Sequence, residues 1–289
     1  MNLRRFTAAE ASRAADFLDS RTVALRWLVA YLRHLDLLPD KDPPRCLFFW
    51  GERESKGAVD LACILAHFVP TRTLYAGGEP DADLEAIQLL CEDALAPARV
   101  VGDLPILEAW RASSPSLFDH ALRVSELDVF AFQGRGEVPA GYRVADPDDE
   151  EILIEYAELF SSETGEVEAP DIPSLIDAGL VHVLETGHRL KGMVLSNLSD
   201  GRYVHGGGVY VHPAYRGEGI GRLLAQGLGA RVRDEEGATA VLDAYRENTR
   251  ALAAYRAAGY ELLGSGRAVW LDSGVWEGSG GEVSERRLP

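Results

Sequence analysis

The sequence predicts an α/β protein with a mixed sheet, built in two halves. Strand-like apolar runs alternate with helical stretches along most of the 289 residues, as in α/β proteins rather than all-helical or all-strand ones. A stretch dense in Gly, Pro and polar residues, 134–141, separates two such series and is predicted to be a linker. Hydrophobic residues make up 46% of the chain, which is enough to form a full core.

The N-terminal half, 1–133, mixes helices and strands. A leucine-rich stripe predicts an amphipathic helix within 8–38, which Pro39 ends. Cys46–Trp50 is a continuous apolar run, typical of a buried strand, and Gly51 ends it. The other elements expected in this half are a strand over 59–69, a helix over 81–94, a short strand at 100–101, a helical turn at 104–110 and a strand over 122–132.

The C-terminal half, 142–271, is predicted to be a second domain. Its expected elements are a strand at 142–145, helices at 147–160 and 173–178, strands at 180–185, 190–195 and 203–211, a helix at 219–235, a strand at 239–245, a helix at 248–258, and strands at 260–263 and 267–271. The last residues, 272–289, are rich in Gly, Ser and charge without a period, and we expect them to be disordered.

One stretch of this half predicts an anion-binding site. Val209–Val211 is a β-branched and aromatic run that suits a strand, and Pro213 ends the strand because it has no N–H. Arg216–Gly221 is a glycine-rich turn that opens directly into a helix with apolar residues at helical spacing. The free N–H groups of a first helical turn attract anions, and glycine lets a phosphate approach the backbone closely.

The residues of this loop distinguish between phosphate-binding motifs. A dinucleotide fingerprint needs a third glycine where Arg222 stands, and the Gly-Lys-Ser/Thr of a P-loop is missing. The pattern present is Arg-x-x-Gly-x-Gly, from Arg216 to Gly221. A second motif follows it: Asn248 opens a helix as a good N-cap, Tyr255 lies two turns on along the same face, and Gly259 then stops the helix before an aromatic residue.

With both motifs in order, residues 142–271 resemble the GCN5-related N-acetyltransferase (GNAT) family. The resemblance implies the GNAT fold in this half, acetyl-CoA as co-substrate, no metal, and direct transfer of the acetyl group to a primary amine in a ternary complex. It implies that Tyr255 protonates the departing sulfur. The cofactor contacts that it implies are the strand N–H groups of Val209, Tyr210 and Val211, the loop residues Arg216, Gly217, Glu218, Gly219, Ile220 and Gly221, nearby Arg222, Asn248 and Tyr255.

The general base is less closely specified. Some family members carry a Glu on the central strand where this chain has His205, an imidazole that titrates near neutrality. The alternative is a strand histidine with a structural hydrogen bond. The three glycines after it, Gly206–Gly208, predict a bulge or the close approach of a ligand. Glu163, expected in the loop after the first helix of this domain, is a second candidate, and its alternative is a solvated carboxylate.

The N-terminal half has neither cofactor motif. It is either a degenerate GNAT-like copy, as in tandem acetyltransferases, or an unrelated α/β capping domain. Two other functions stay open: a non-catalytic acyl-CoA-binding or regulatory module, and an acyltransferase that uses a different acyl donor.

Composition limits the partners. The net charge of −17 disfavours nucleic acid, whose phosphates would be repelled, and favours a cationic acceptor amine. No run of 18 apolar residues is present, so no membrane span is expected. Three widely spaced cysteines without a CxxC pattern predict neither a disulfide framework nor a zinc site, and the expected compartment is the cytoplasm.

Overall fold

The computed structural model describes residues 2–34, 46–55, 58–164 and 169–272. The chain forms two compact units. The first is Met1–Leu127 together with the C-terminal segment that starts at Ser265, and the second is Asp128–Gly264. No helix in the described part of the chain has the length and apolar character that crossing a bilayer requires.

The first unit is a mixed sheet with helices. Its strands lie in the order β1-β2-β3-β4-β5-β12, in which β4 and β5 are parallel and the other neighbours are antiparallel. The elements are β1 Asn2–Arg5, α1 Ala11–Asp19, α2 Arg26–Arg33, β2 Cys46–Ser55, β3 Ala58–Phe68, β4 Thr73–Gly78, α3 Leu84–Leu90, β5 Arg99–Asp103, α4 Leu104–Ser113, α5 Pro115–Asp119, the first part of β6 Ala121–Phe132 and the last part of β12 Tyr260–Leu271.

The long helix predicted within 8–38 is two helices, α1 and α2. Side chains satisfy the backbone between them: Asp103 Oδ1 accepts from the N–H groups of Val23 and Ala24, both at 3.0 Å, and Thr22 Oγ1 accepts from Leu25 N. Such side-chain acceptors offer the backbone an alternative to helical hydrogen bonds. The predicted apolar stripe is buried where it is described, and its end, with Pro39, lies outside the described residues.

The second unit is also a mixed sheet, in the order β6-β11-β10-β9-β8-β7. Within it β10 runs parallel to β11 and antiparallel to β9. Its elements, besides the ends of β6 and β12, are β7 Tyr142–Val144, α6 Glu150–Thr164, α7 Ile172–Asp177, β8 Val181–Glu185, β9 Leu190–Ser199, β10 Tyr203–Val211, α8 Ile220–Arg231, β11 Thr239–Tyr245 and α9 Thr249–Ala257. The predicted mixed α/β fold is confirmed.

Two apolar cores cover the faces of this second sheet. One packs α8 and α9 against strand residues such as Val204 and Leu242. The other packs α6 and α7 against strand residues such as Met193 and Tyr210. Side chains therefore leave β10 towards both cores, as the alternation of a strand between two helical layers requires.

The end of the chain differs from the prediction. The two closing strands expected at 260–263 and 267–271 are one strand, β12, and Gly266–Trp270 within it pair with β5. The units divide within β6 and within β12, so the segment predicted as a linker, 134–141, lies inside the second unit. Residues 273–289, nearly all of the predicted disordered tail, lie outside the described residues.

Candidate active site

The central feature of the second unit is the parting of β10 from β11. The two strands pair from Tyr203 opposite Thr239 as far as His205 opposite Val241, and the described ladder ends there. Beyond that point β10 remains paired to β9, up to Val211. The edge of β10 that faces β11 is therefore open along its C-terminal part, which leaves room for a ligand's own polar groups.

A bulge in β10 accompanies this opening. Between Gly207 and Tyr210 the register advances three residues on β10 but two on β9, and Gly208 has a φ of +58°. The bulge predicted from the three glycines is confirmed. Gly206 has a different role: a Cβ there would clash with Leu228 Cδ2 on α8, so Leu228 would have to shift if residue 206 carried a side chain.

The predicted anion loop follows β10 directly. A short 3₁₀ turn, Pro213–Tyr215, opens it, and Arg216 Nε donates to Val211 O at 2.9 Å. Gly217 and Gly219 have φ values of +84° and +79°, in the left-handed region that glycine adopts without strain. The loop therefore depends on both glycines for its path into α8.

The N-terminus of α8 presents unused donors. Gly219 is its N-cap and offers no side chain, and the first hydrogen bond into the helix runs from Leu223 N to Gly219 O at 3.1 Å. Within the described residues the N–H groups of 220–222 have no partner. With the positive end of the helix dipole, these groups can bind an anion.

Ion pairs surround the loop. Arg216 Nη2 lies 2.8 and 2.9 Å from the two carboxylate oxygens of Glu163, and Lys191 Nζ lies 3.1 Å from Glu218. Arg222 Nη1 reaches Gln226 Oε1 at 3.4 Å. Glu163 was expected in a loop, but it lies in the last turn of α6, which ends at Thr164 rather than at 160. Its carboxylate lies at the anion loop, bound to Arg216.

The second motif forms the start of α9. Asn248 is the N-cap, and its Oδ1 accepts from Ala251 N at 3.1 Å. Tyr255 is only 5% exposed and packs edge-on against Phe130, with 6.2 Å between ring centroids. Burial raises the pKa of Tyr255, so the phenol keeps its proton at neutral pH. Its hydroxyl has no hydrogen-bond partner among the described residues.

His205 is the centre of a polar row across three strands. Its Nε2 lies 2.6 Å from Asp243 Oδ1 on β11, and its Nδ1 lies 3.3 Å from Asn197 Nδ2 on β9. The side chain of His205 is 14% exposed and that of Asp243 31%. Since His205 pairs with Val241, Asp243 is its diagonal neighbour across the ladder.

Sequence reasoning missed Asp243 and Asn197. A signal for Asp243 was present, because it is the one carboxylate in β11, a strand otherwise made of Thr, Ala, Val, Leu and Tyr. The structure brings Asp243 and His205 together. Burial is the larger cause of the raised pKa of Tyr255, and the negative charge of Asp243 is the smaller cause. In the described part of the chain, no three His, Cys, Asp or Glu side chains come together as a metal site would require.

Residues 138–260 match the model of the acetyltransferase (GNAT) family. This segment is a GNAT-family domain. The match spans both predicted motifs, the open edge of β10 and all the candidate site residues. The GNAT family is one of acetyltransferases, so the general chemistry of the domain is acetyl transfer. No curated protein matches the chain.

Solved structures similar to this chain extend the likeness beyond the GNAT domain. A GNAT-family acetyltransferase from Colwellia psychrerythraea is 13% identical, with a TM-score of 0.59, over 94% of this chain and 100% of its own. A tandem GNAT protein from the clavulanic acid biosynthesis pathway is 17% identical, with a TM-score of 0.58, over 94% and 98%. A Drosophila protein is 15% identical, with a TM-score of 0.64, over 94% and 98%. At these identities the shared property is the fold, which includes the N-terminal half.

Proposed function

We propose that this protein transfers an acetyl group from acetyl-CoA to a primary amine by direct attack in a ternary complex. The observation that carries the proposal is the uncapped N-terminus of α8 behind a glycine loop, beside the open edge of β10, in a GNAT-family domain. A diphosphate fits the first feature, because helix N-termini bind phosphates. An extended amide-bearing arm fits the second, because it can hydrogen-bond to an unpaired strand edge.

The proposed cofactor contacts follow from these features. The pyrophosphate binds the backbone of Arg216–Gly221, with Arg222 beside it. The pantetheine arm and the acetyl carbonyl bind the strand at Val209–Val211, where backbone N–H groups would stabilise the oxyanion of the tetrahedral intermediate. Asn248 contacts the arm from the start of α9.

The protons of the reaction must balance. An ammonium loses one proton before its nitrogen can attack and a second when the C–N bond is complete, while the C–S bond breaks. One proton ends on the thiolate and the other leaves to solvent. Tyr255 is the proposed donor to sulfur, and one of the two protons of the amine restores its phenol; the protonated, unpartnered hydroxyl supports this role.

His205 is the base that we favour. With the amide nitrogen of Asn197 next to Nδ1, that ring nitrogen acts as acceptor, so a neutral imidazole carries its proton on Nε2 and donates it to Asp243. Nδ1 is then the nitrogen that would take the proton, so Asn197 would have to release it for the amine or a water to reach it. Glu163 is the second candidate, but its ion pair with Arg216, in which Nη2 donates to both carboxylate oxygens, favours a role in holding the anion loop.

The N-terminal half is proposed to bind no CoA. Its helix α3 follows the parallel strand β4, but Asp83 Oδ1 accepts from Ala86 N at 3.0 Å and so fills the first turn with a carboxylate. β4 and β5 stay paired as far as Ala76 opposite Gly102. An anion would meet negative charge there, and the described ladder of β4 and β5 ends within two residues of the end of either strand. The proposed compartment is the cytoplasm, which suits three unpaired cysteines.

Release of free thiol from a panel of acyl-CoAs and amines tests the function. We expect acetyl-CoA with a primary aliphatic amine to give thiol and amide in equal amounts. Tyr255→Phe serves as the chemical control, since it should slow release without loss of CoA binding. CoA binding without turnover of any amine would support a binding module instead, and turnover only with longer acyl groups would support a different donor.

A further inference from the structure

Several carboxylates of the second unit are paired with a basic side chain. Glu163 pairs with Arg216 and Glu218 with Lys191. Asp128 pairs with Arg246. Asp243 differs from these: within the described residues its only polar contact is with His205, and no Lys or Arg pairs with it.

Asp243 is also the carboxylate at the point where the strands part. It lies two residues beyond Val241, the last residue of β11 that pairs with β10. His205 binds one oxygen, Oδ1, and the other, Oδ2, has no partner in the described part of the chain. The side chain is 31% exposed, so a ligand can reach it while much of its hydration is already lost.

Resting on the proposed function, we propose that Asp243 determines the specificity for the acceptor: its free oxygen receives the ammonium group of a cationic primary amine. His205 holds the carboxylate in place from the other side. A partly desolvated carboxylate without a Lys or Arg partner is stabilised by an incoming cation more than a fully solvated one is, because the local dielectric is lower.

The position of Asp243, as well as its charge, suits the proposed reaction. Asp243 lies on β11 where that strand parts from β10, beside the strand edge proposed to hold the acetyl-CoA arm, so in the proposed complex an ammonium at Asp243 would be near the acetyl group. The ammonium held there must still lose a proton before its nitrogen attacks, as the proposed function requires. Among the polar contacts of His205 in the described residues, Asp243 on β11 is the titratable partner, since Asn197 on β9 does not titrate.

Asp243→Asn tests the proposal, because it keeps the shape and the hydrogen bond from His205 but removes the charge. Glu235→Gln is the matched control: it changes the net charge equally, but Glu235 pairs with Arg231 at the far end of α8. Asp243→Glu keeps the charge and should retain the preference for cations. Thermal unfolding of each variant checks the fold.

The first measurement needs no turnover. Primary alkylammonium ions of several lengths, which cannot react because CoA carries no acyl group, are titrated calorimetrically into each protein with CoA present. We expect the wild type, Glu235→Gln and Asp243→Glu to bind, and Asp243→Asn to bind about tenfold more weakly. Equal binding by Asp243→Asn, an equal loss in Glu235→Gln, or no binding by the wild type would overturn the proposal.

The second measurement separates this proposal from the proposed function. The KM of an aliphatic amine, charged at neutral pH, should rise about tenfold in Asp243→Asn, whereas that of an arylamine, neutral at that pH, should not change. If Asp243→Asn releases thiol with an unchanged KM for the aliphatic amine, the role of Asp243 is contradicted but the proposed function is not. No thiol release from any amine contradicts the function, while the cation titrations still decide the binding site.

Discussion

Gly219→Leu should abolish most of the CoA affinity and leave the fold intact. Gly219 has a φ of +79°, where an L-residue costs roughly 1–2 kcal/mol. Its Cβ would have ample space, since the nearest atom, Arg222 Nε, is 4.0 Å away. The variant therefore loses a modest part of its stability, without a clash inside the protein.

The loss of affinity follows from the donors that the new side chain covers. The N–H groups of the first turn of α8 have no partner among the described residues, and a hydrogen bond to a charged group contributes about 1.5–3 kcal/mol. Blocking two of them removes about 3 kcal/mol, which corresponds to about a hundredfold weaker binding. Isothermal titration with CoA measures this directly.

Gly201→Leu is the control for strain. Gly201 has a φ of +86° and no atom within 4 Å of an added Cβ, but it lies in the turn between β9 and β10 rather than in the loop. It should lose similar stability and keep its CoA affinity. Unchanged affinity in a folded Gly219→Leu protein, or an equal loss in Gly201→Leu, would refute the assignment of the pyrophosphate to this loop.

Four further predictions follow from the site and the cores. Tyr255→Phe should lower kcat about ten- to a thousandfold at nearly constant CoA affinity, as removal of a general acid does; wild-type turnover with chemistry rate-limiting would exclude the role. Titration should find one CoA per chain, and in Gly219→Leu the same single site about a hundredfold weaker, since the α3 terminus is already capped by Asp83; a second site of unchanged affinity would contradict this. kcat/KM for a cationic amine should fall as ionic strength rises, because the excess of acidic residues, 46 against 29 basic ones, attracts the cation and salt screens that attraction. The Debye length shortens from about 30 Å at 0.01 M to about 8 Å at 0.15 M. A kcat/KM that does not change with salt would contradict the attraction. Acid should destabilise the fold through His67 and His182, whose pKa values burial lowers from 6.5 to about 4. The folded state favours both neutral rings, so their contribution to stability is full above pH 6.5 and is lost as the pH falls towards 4, by about 3 kcal/mol per ring. Urea unfolding of the wild type and the two His→Gln variants between pH 7 and 4 should show that the unfolding free energy falls less steeply with pH in each variant. An equally steep fall in all three proteins would contradict the prediction.

Local signals in the sequence determined the parts of the site that are made of neighbouring residues. β10 and β11 have the bounds that were predicted, Tyr203–Val211 and Thr239–Tyr245, because β-branched runs between turn residues define a strand locally. The glycine turn at Gly219, where φ is positive, and the helix cap at Asn248 were likewise predicted from local sequence signals. A helix start or a tight turn depends on a few adjacent side chains, so a single sequence contains enough information for it.

Only the tertiary structure decided which distant side chains meet. His205 and Asp243 are 38 positions apart, and Glu163 and Arg216 are 53 apart. Their contacts depend on strand order, on the diagonal register of two parallel strands and on four additional residues of α6. The last part of β12, which pairs with β5 in the first unit, was also outside the reach of local reasoning. The composition of a strand determines that it forms part of a sheet and which of its faces is buried. Which strand it pairs with depends on the packing of the whole sheet.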